Sequence, residues 1–424
     1  MPLPPEFSAE FQRAVILLLP FLVAGAAVLV MQPPQRVLAG AFLAGLWNLV
    51  WLIPVNLLAV HMGWWAFHGD EHLFLSLPFD GLLGWSVWWG AALFLWFNGK
   101  RIALAFVSAL WVDLLAMPRL APFVTLGDDW LWGEAIVLAV CFVPGWLLAF
   151  ATARDIHVGW RAAAQAVITG MLLFVLLPAA LLEYSGRSPW DILQLSPWQI
   201  SIAFNALLFP TIVGLAGNQE FAERGLGTPV PFDPPKRLVV TGPYAYLANP
   251  MQVSIVLSLP VLGFAYQSWL VAAAALVAVI YCLGVVQWHH TIDMEPRFGE
   301  KWSEYRRHVR DWFPRWQPWI AEPSTVFFAR YCDICQDTEH WLARLNPIGL
   351  IIEDAARHET PLDRVTYRYP DGSEVAGIYA IAACLNHVNL ALAFLGWFMR
   401  LPVIRHFLQI LIDGTGERAK QVSP

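Results

Sequence analysis

Long apolar runs separated by short polar loops dominate the first two-thirds of the chain. Nine stretches stand out: Ala14–Met31, Val37–Val60, Leu82–Phe97, Ile102–Ala116, Ala135–Ala151, Ala162–Leu182, Gln199–Leu215, Pro250–Phe264 and Ser268–Val286. A hydrocarbon core of roughly 30 Å is crossed by about 20 apolar residues in a helix. Only a helix or a closed barrel satisfies every backbone N–H and C=O in that medium. The pattern therefore predicts a polytopic α-helical membrane protein of about nine spans. Leu82–Phe97, Ile102–Ala116 and Pro250–Phe264 are short, which fits tilted or re-entrant segments as well as full spans.

The pattern changes after Trp316. Pro318 and Pro323 break any helix in the stretch Trp316–Ser324, which reads as a linker. Beyond it, Thr325–Ala329 is β-prone, Asp333–Leu345 has helical spacing and Gly349–Ile352 is a further apolar run. Val365–Tyr369 alternates, Asp371-Gly372 supplies a hairpin turn and Glu374–Gly377 returns. Two apolar helices follow near Ile378–Leu385 and Leu390–Met399, the second too short to cross a bilayer comfortably and flanked by His387 and Asn389. The organisation expected is a six-span region (1–195), a three-span region with a charged aromatic tail (196–318), a linker (319–324) and a small α/β domain (325–424).

Composition sharpens this picture. Residues are 58% hydrophobic and 14% charged, against about a quarter charged in a soluble domain. The 23 tryptophans suit side chains that anchor helices at the bilayer interface. A net charge of −6 gives no footprint for nucleic acid. The opening MPLPPEFSAEFQR lacks the basic start and small-residue cleavage pattern of a signal peptide, so the first run is expected to stay as a span. Arg36, Lys100, Arg101, Arg154, Arg161, Arg224, Lys236 and Arg237 fall in alternate loops, with only Arg119 and Arg187 opposite, plus Arg13 before the first span. The positive-inside rule then puts the N-terminus outside and everything after Val286 in the cytosol, in an inner or cytoplasmic membrane.

The chemistry-bearing motifs begin in the middle region. Gly225–Tyr244 is too dense in Pro and Gly for a regular helix. Gly242-Pro243-Tyr244 and Asn249-Pro250-Met251 open the next span, and Phe298-Gly299, Tyr305 and Pro314 follow two spans later. With these residues in this order, 205–315 resembles the isoprenylcysteine carboxyl methyltransferase family and its phospholipid methyltransferase relatives. The resemblance implies a small helical bundle that takes S-adenosylmethionine from the cytosol and an amphiphilic or lipid-like substrate from the bilayer. It implies cofactor contacts from Gly242, Pro243, Tyr244, Asn249, Pro250 and Met251. Where the family carries Arg before the Asn-Pro or His-Pro pair, this chain has Ala248. Where it carries two Glu ahead of Phe-Gly, this chain has His290 and Thr291. Glu295, one helical turn after Thr291, and Gln287, about one turn before His290, are the groups placed to compensate. His290 and Glu295 are thus the catalytic candidates here, although His289 and His290 also read as plain interfacial residues. Trp302, Tyr305, Val309 and Trp312 share one helical face, suited to the inner leaflet or to packing on the protein.

Of five cysteines, Cys332 and Cys335 form a CxxC between a predicted strand and a predicted helix, where a helix N-terminus lowers thiol pKa and the second thiol can resolve a mixed disulfide. Redox chemistry, an inactive pair and, least of all, a metal site remain open, and no complete metal-ligand set is visible. With Asp363–Tyr367, Asp371-Gly372, Gly377, Ala380-Ile381 and Leu401-Pro402, residues 325–420 resemble the DCC family of thioredoxin-like thiol-disulfide oxidoreductases. That implies a thioredoxin-like fold and a thiol-redox partner, with Cys332 and Cys335 as the reacting pair. The chain has Phe328-Ala329-Arg330 where that family has Tyr-Asp-Gly.

The first six spans say least. Asn48, Asn56 and Asp113 fall inside spans, where polar groups are functional candidates by default; Asp113 could instead be wet at a helix end. The loop His61–His72, followed by Leu77–Asp80, is rich in aromatic and polar groups and faintly resembles loops of membrane lycopene cyclase domains. Its His68, Asp70, Glu71 and His72 read better as a solvated loop than as a metal site. Four functions compete: a membrane methyltransferase fused to a redox domain, a thiol-disulfide oxidoreductase with a lipid or quinone partner, an NADPH-dependent membrane reductase, and a non-catalytic scaffold.

Overall fold

The computed structural model describes residues 5–68, 73–121, 123–229, 233–329 and 333–414. Cys332, Arg330, Asp70, Glu71 and His72 lie outside these. The chain forms two compact units, one of residues 1–193 with 227–234 and one of residues 194–226 with 235–424.

The first unit is helical: α1 (Pro5–Met31), α2 (Gln35–His61), α3 (Phe79–Ser86), α4 (Ile102–Ala116), α5 (Trp130–Arg154) and α6 (Val158–Tyr184). The helical run after α3 continues through a π-helical stretch, Val87–Ala92, to Trp96. Two short antiparallel pairs, Trp65–Phe67 with Val124–Leu126 and Leu73–Phe74 with Leu77–Pro78, give the predicted loop a fold of its own. In it His68 Nε2 lies 2.8 Å from Thr125 Oγ1. Small residues let the helices close up, as in membrane bundles: a Cβ on Gly40 of α2 would stand 2.6 Å from the Ala149 carbonyl oxygen of α5.

The polar groups buried in this unit are partnered in different ways. Asn56 accepts the Trp65 indole N–H at 3.0 Å and donates to Leu52 O, a structural role. Asn48 Nδ2 donates to Ala44 O at 2.7 Å. Asp113 is 1% exposed rather than wet, and accepts indole N–H groups from Trp89 at 3.0 Å and Trp85 at 3.4 Å. Arg161, counted from sequence as a loop charge, is 1% exposed and paired with Asp155 and Asp233.

The second unit contains α7 (Pro197–Gly225), α8 (Pro250–Ala265), α9 (Trp269–Phe298) and α10 (Glu300–His308). Ser196 and Gln199 form a capping box at the start of α7. Next come β1 (Ser324–Phe328), α11 (Asp333–Arg344), β2 (Leu350–Asp354), β3 (Thr366–Arg368), β4 (Glu374–Ala376), α12 (Ile378–Leu385), α13 (Leu390–Arg400) and α14 (Pro402–Gly414). The sheet order is β2-β1-β3-β4, with β1 and β2 parallel and the rest antiparallel. The Asp371-Gly372 turn joins β3 to β4, as the alternation predicts.

Seven helices among the described residues are long and apolar enough to cross a membrane: those in α1, α2, α4 (extended to Arg119), α5, α6, α7 and α9. This is an integral membrane protein. The run at Phe79–Trp96 is not among the seven, and α8 falls short in length; α13 and α14 qualify only as a pair, bent by 89°. The short helix α13 is the larger surprise. It lies along α7, with Phe394 stacked on Phe209 at 5.0 Å and Ala393 and Trp397 in one core with Ile212, Val213 and Ala216.

Candidate functional site

After α7 the chain loops back to Gly242–Ala245, a single turn of 3-10 helix. Gly242 is required twice over. Its φ of 59° is disfavoured for other residues, and a Cβ there would stand 2.9 Å from Glu220 Cδ. Gly242, Pro243 and Tyr244 are all buried, and Thr241 Oγ1 donates to Glu220 Oε1 at 2.5 Å. Tyr244 is 5% exposed, yet its hydroxyl has no hydrogen-bond partner among the described residues. Burial, helped by the nearby Tyr305 and Glu220, holds this phenol well above its ordinary pKa, so it stays a neutral donor.

The aromatic tail clamps the turn from outside. Tyr305 donates its hydroxyl to the Tyr244 carbonyl at 2.9 Å. Arg315 N–H bonds to Tyr246 O, Trp319 N–H to Ala245 O, and Ala248 N–H to Arg310 O. The carbonyls of Tyr244, Ala245 and Tyr246 are therefore occupied by the tail. Asn249 is likewise occupied: its Nδ2 donates to Asp311 at 2.7 Å, and Arg306 grips the same carboxylate with two N–H groups at 2.5 Å. Pro250 and Met251 rest against Gly217 of α7. Trp302, Tyr305 and Val309 form a buried core with Ala248 and Met294, so this amphipathic face is packed on protein and does not lie on a leaflet.

His290 and Glu295 fare differently. His290 sits on a π-helical turn, His290–Met294, and meets the Trp302 ring edge-on at 5.1 Å, which ties it to the clamp. Glu295 and Gln287 are both exposed. The fold thus gathers Gly242, Pro243, Tyr244, Asn249, Pro250, Met251 and His290 around one turn and leaves Glu295 at its margin.

Sequence reasoning missed the group that joins this turn to the C-terminal helices. Glu220 is fully buried, and its Oε2 lies 2.5 Å from Nη1 of Arg400, the last residue of α13. Arg400 also donates to Glu223 at 3.1 Å and to the Tyr379 hydroxyl at 2.9 Å, and Tyr379 donates to Glu223. Tyr246 donates its hydroxyl to Asn386 O at 3.0 Å. The signal was a carboxylate in the helical run beyond Leu215, which hydropathy reads merely as the end of a span.

In the C-terminal region Cys335 lies in the first turn of α11, half-buried against the core of Val326, Phe328, Leu342 and Cys384. Cys332, its expected partner, is outside the described residues. Cys384 is fully buried, and that burial pushes its thiol far above the usual range, which makes it inert. His387, 3% exposed, donates from Nδ1 to Ile348 O and accepts at Nε2 from the Tyr367 hydroxyl, both at 2.7 Å. Burial lowers its pKa to about 4. Among the described residues no cluster of His, Cys, Asp and Glu has the arrangement of a metal site. Comparison with protein-family models, with curated proteins and with solved structures returned no match for this chain.

Proposed function

We propose that residues 196–318 are a membrane-embedded, S-adenosylmethionine-dependent methyltransferase core acting on an amphiphilic or lipid-like acceptor. The observation that carries this reading is the Tyr244 hydroxyl, a buried donor with no partner among the described residues, in the turn where the motif residues converge. A buried polar group without a partner is costly and marks a place where a ligand atom belongs. The donor set fits a cationic cofactor in part. Phe221 and Tyr244 supply adjoining aromatic rings at 6.1 Å, while the Glu220 carboxylate beside the turn is already engaged by Arg400 and Thr241. Such rings favour a sulfonium cation over a neutral group. S-adenosylmethionine would supply the methyl group on that sulfonium. The chain's own part is then to orient the acceptor and exclude water, with Tyr244 holding the cofactor and His290 against Trp302 forming the outer wall. In this reading the run Phe79–Trp96 also crosses, so that the loops carrying Arg36, Arg154, Arg224 and Arg237 face the cytosol and the N-terminus faces outward. Calorimetry of the full chain in detergent tests it: S-adenosylmethionine should bind, and Tyr244→Phe should weaken binding about tenfold, as expected when one hydrogen bond of roughly 1.4 kcal/mol is lost. Absence of binding by protein whose cooperative unfolding is intact overturns it.

A second activity is supported by Cys335. The strand order β2-β1-β3-β4, with its parallel first pair and terminal hairpin, agrees with a thioredoxin-like core, and Cys335 stands at the helix N-terminus that such a core uses for redox chemistry. We propose a thiol-redox role for Cys332 and Cys335 toward a thiol, lipid or quinone partner. Turnover that persists in Cys332→Ser excludes it.

A further inference from the structure

We propose that α14, Pro402–Gly414, is an in-plane membrane helix whose outward face is covered by the acyl-chain boundary of the bilayer leaflet into which α7 ends. The proposal rests on the membrane character of the chain and not on methyl transfer.

The amphipathicity of α14 is turned inside out for a soluble domain. Its polar side reaches back to the protein: Gln409 Oε1 accepts the Ile378 N–H at 3.0 Å, and Asp413 pairs with Arg364 at 2.8 Å. The opposite face carries Val403, Phe407, Ile410 and Leu411 at 79%, 59%, 68% and 51% exposure, in the three- and four-residue steps of one helical stripe. A contiguous apolar patch of this kind needs a covering.

Continuity with the membrane-embedded surface identifies the covering. Successive residues of α13 meet successive residues of α7: Phe394 meets Phe209, Trp397 joins Ile212 to Ala216, and Arg400 reaches Glu220 and Glu223. The two helices therefore run side by side in the same direction. Phe209 and Leu208 remain 50% and 40% exposed on the apolar span, which places α13 at bilayer depth. A helix the length of α7, 29 residues, extends about 43 Å and outruns a hydrocarbon core of roughly 30 Å. Glu220 and Glu223 thus mark the interface, and the chain reaches it at Arg400. There Leu401 leaves the helical conformation, Pro402 restarts it, and α14 turns by 89°. A helix at right angles to one that accompanies a span runs along the membrane surface. With its polar side held by the protein, its apolar stripe faces the acyl boundary.

The test places a photoreactive benzophenone amino acid at Phe407, and separately at Ile410, in the full chain. The protein is reconstituted in phosphatidylcholine–phosphatidylglycerol nanodiscs, irradiated and examined by intact mass. Phospholipid adducts at both positions are expected. Protein–protein adducts in place of lipid adducts would assign the face to a second copy and overturn the proposal, as would no adduct at either position in protein that unfolds like the unlabelled chain. Substitution at exposed positions leaves the core untouched, and Val403 and Leu411 give the same reading if either label impairs folding.

Discussion

Nη1 of Arg400 lies 2.5 Å from Oε2 of Glu220, with 4% and 0% of the two side chains exposed. This ion pair links the C-terminal helix α13 to the helix that cradles the Gly242 turn, since the other Glu220 oxygen accepts the Thr241 hydroxyl. A buried pair is often no more stable than apolar replacements, but removing one partner strands a charge at a cost of about 3–5 kcal/mol. Arg400→Met should therefore lower the thermal midpoint of the chain in detergent sharply, and adding Glu220→Leu should recover most of the loss. A single variant as stable as the parent would mean that the pair is not buried as described.

Tyr244 and Tyr305 differ by one hydrogen bond, and that separates ligand binding from folding. Tyr305→Phe leaves the Tyr244 carbonyl without its donor in a buried setting, with an expected loss of about 1–3 kcal/mol in unfolding free energy. Tyr244→Phe removes a hydroxyl that has no partner among the described residues, so stability should change by less than about 1 kcal/mol. Denaturant titrations of the two variants check this. Equal losses would show that the Tyr244 hydroxyl is already bound within the protein.

Much of the architecture was legible because it rests on periodicity. Seven of the nine apolar runs located helices long enough to span, Leu82–Phe97 and Pro250–Phe264 falling short, and alternation around Asp371-Gly372 located the hairpin with its turn. Failures came where tertiary packing decides. Leu390–Met399 reads as an apolar helix too short to cross a bilayer, and nothing local says that Phe394 stacks on Phe209 almost two hundred positions away. The amphipathic face of Trp302 and Tyr305 could have met lipid or protein, and only the Tyr244 carbonyl and Trp319 settle it. The motif singled out Gly242 and Tyr244, which the fold places in one buried turn, but not Glu220 and Asp311, because their contacts depend on the Arg and Asn residues that the fold brings to them. The stripe on α14 was missed because the sequence reading placed no helix after Leu401-Pro402, whereas the chain turns a corner there and continues as a helix.

Close helix contact in the first unit makes another separable pair. Gly40→Ala inserts a methyl 2.6 Å from the Ala149 carbonyl oxygen, so α2 and α5 must move apart, while Gly25→Ala meets nothing within 4 Å. Overpacking of this kind typically costs about 1–3 kcal/mol. In an exposed helix, Gly→Ala is neutral to slightly stabilising through backbone entropy. Thermal scans should show a lowered midpoint for Gly40→Ala alone. Indistinguishable midpoints would contradict the close approach of the two backbones.

His387 should give the C-terminal region an acid-sensitive stability. Its Nδ1–H is committed to the Ile348 carbonyl and its Nε2 lone pair to the Tyr367 hydroxyl, so a second proton has to break the latter bond in a buried site. The folded imidazole accordingly protonates only near pH 4, against 6.5 for an ordinary one. Between those values the unfolded chain binds a proton that the folded chain refuses, and acidification favours unfolding. The stabilisation is complete above about pH 6.5 and is lost as pH falls toward 4, amounting to about 3 kcal/mol. His358 acts in the opposite sense. Burial alone would lower its pKa, but hydrogen bonds to Glu374 and the Thr360 carbonyl outweigh that and raise it, so its contribution is present at acid pH and lost as pH rises through the folded value. Unfolding midpoints of the full chain should therefore fall steeply below pH 6.5, and His387→Asn should flatten that slope while lowering stability at neutral pH. A variant with the parent's slope would assign the acid sensitivity to other groups.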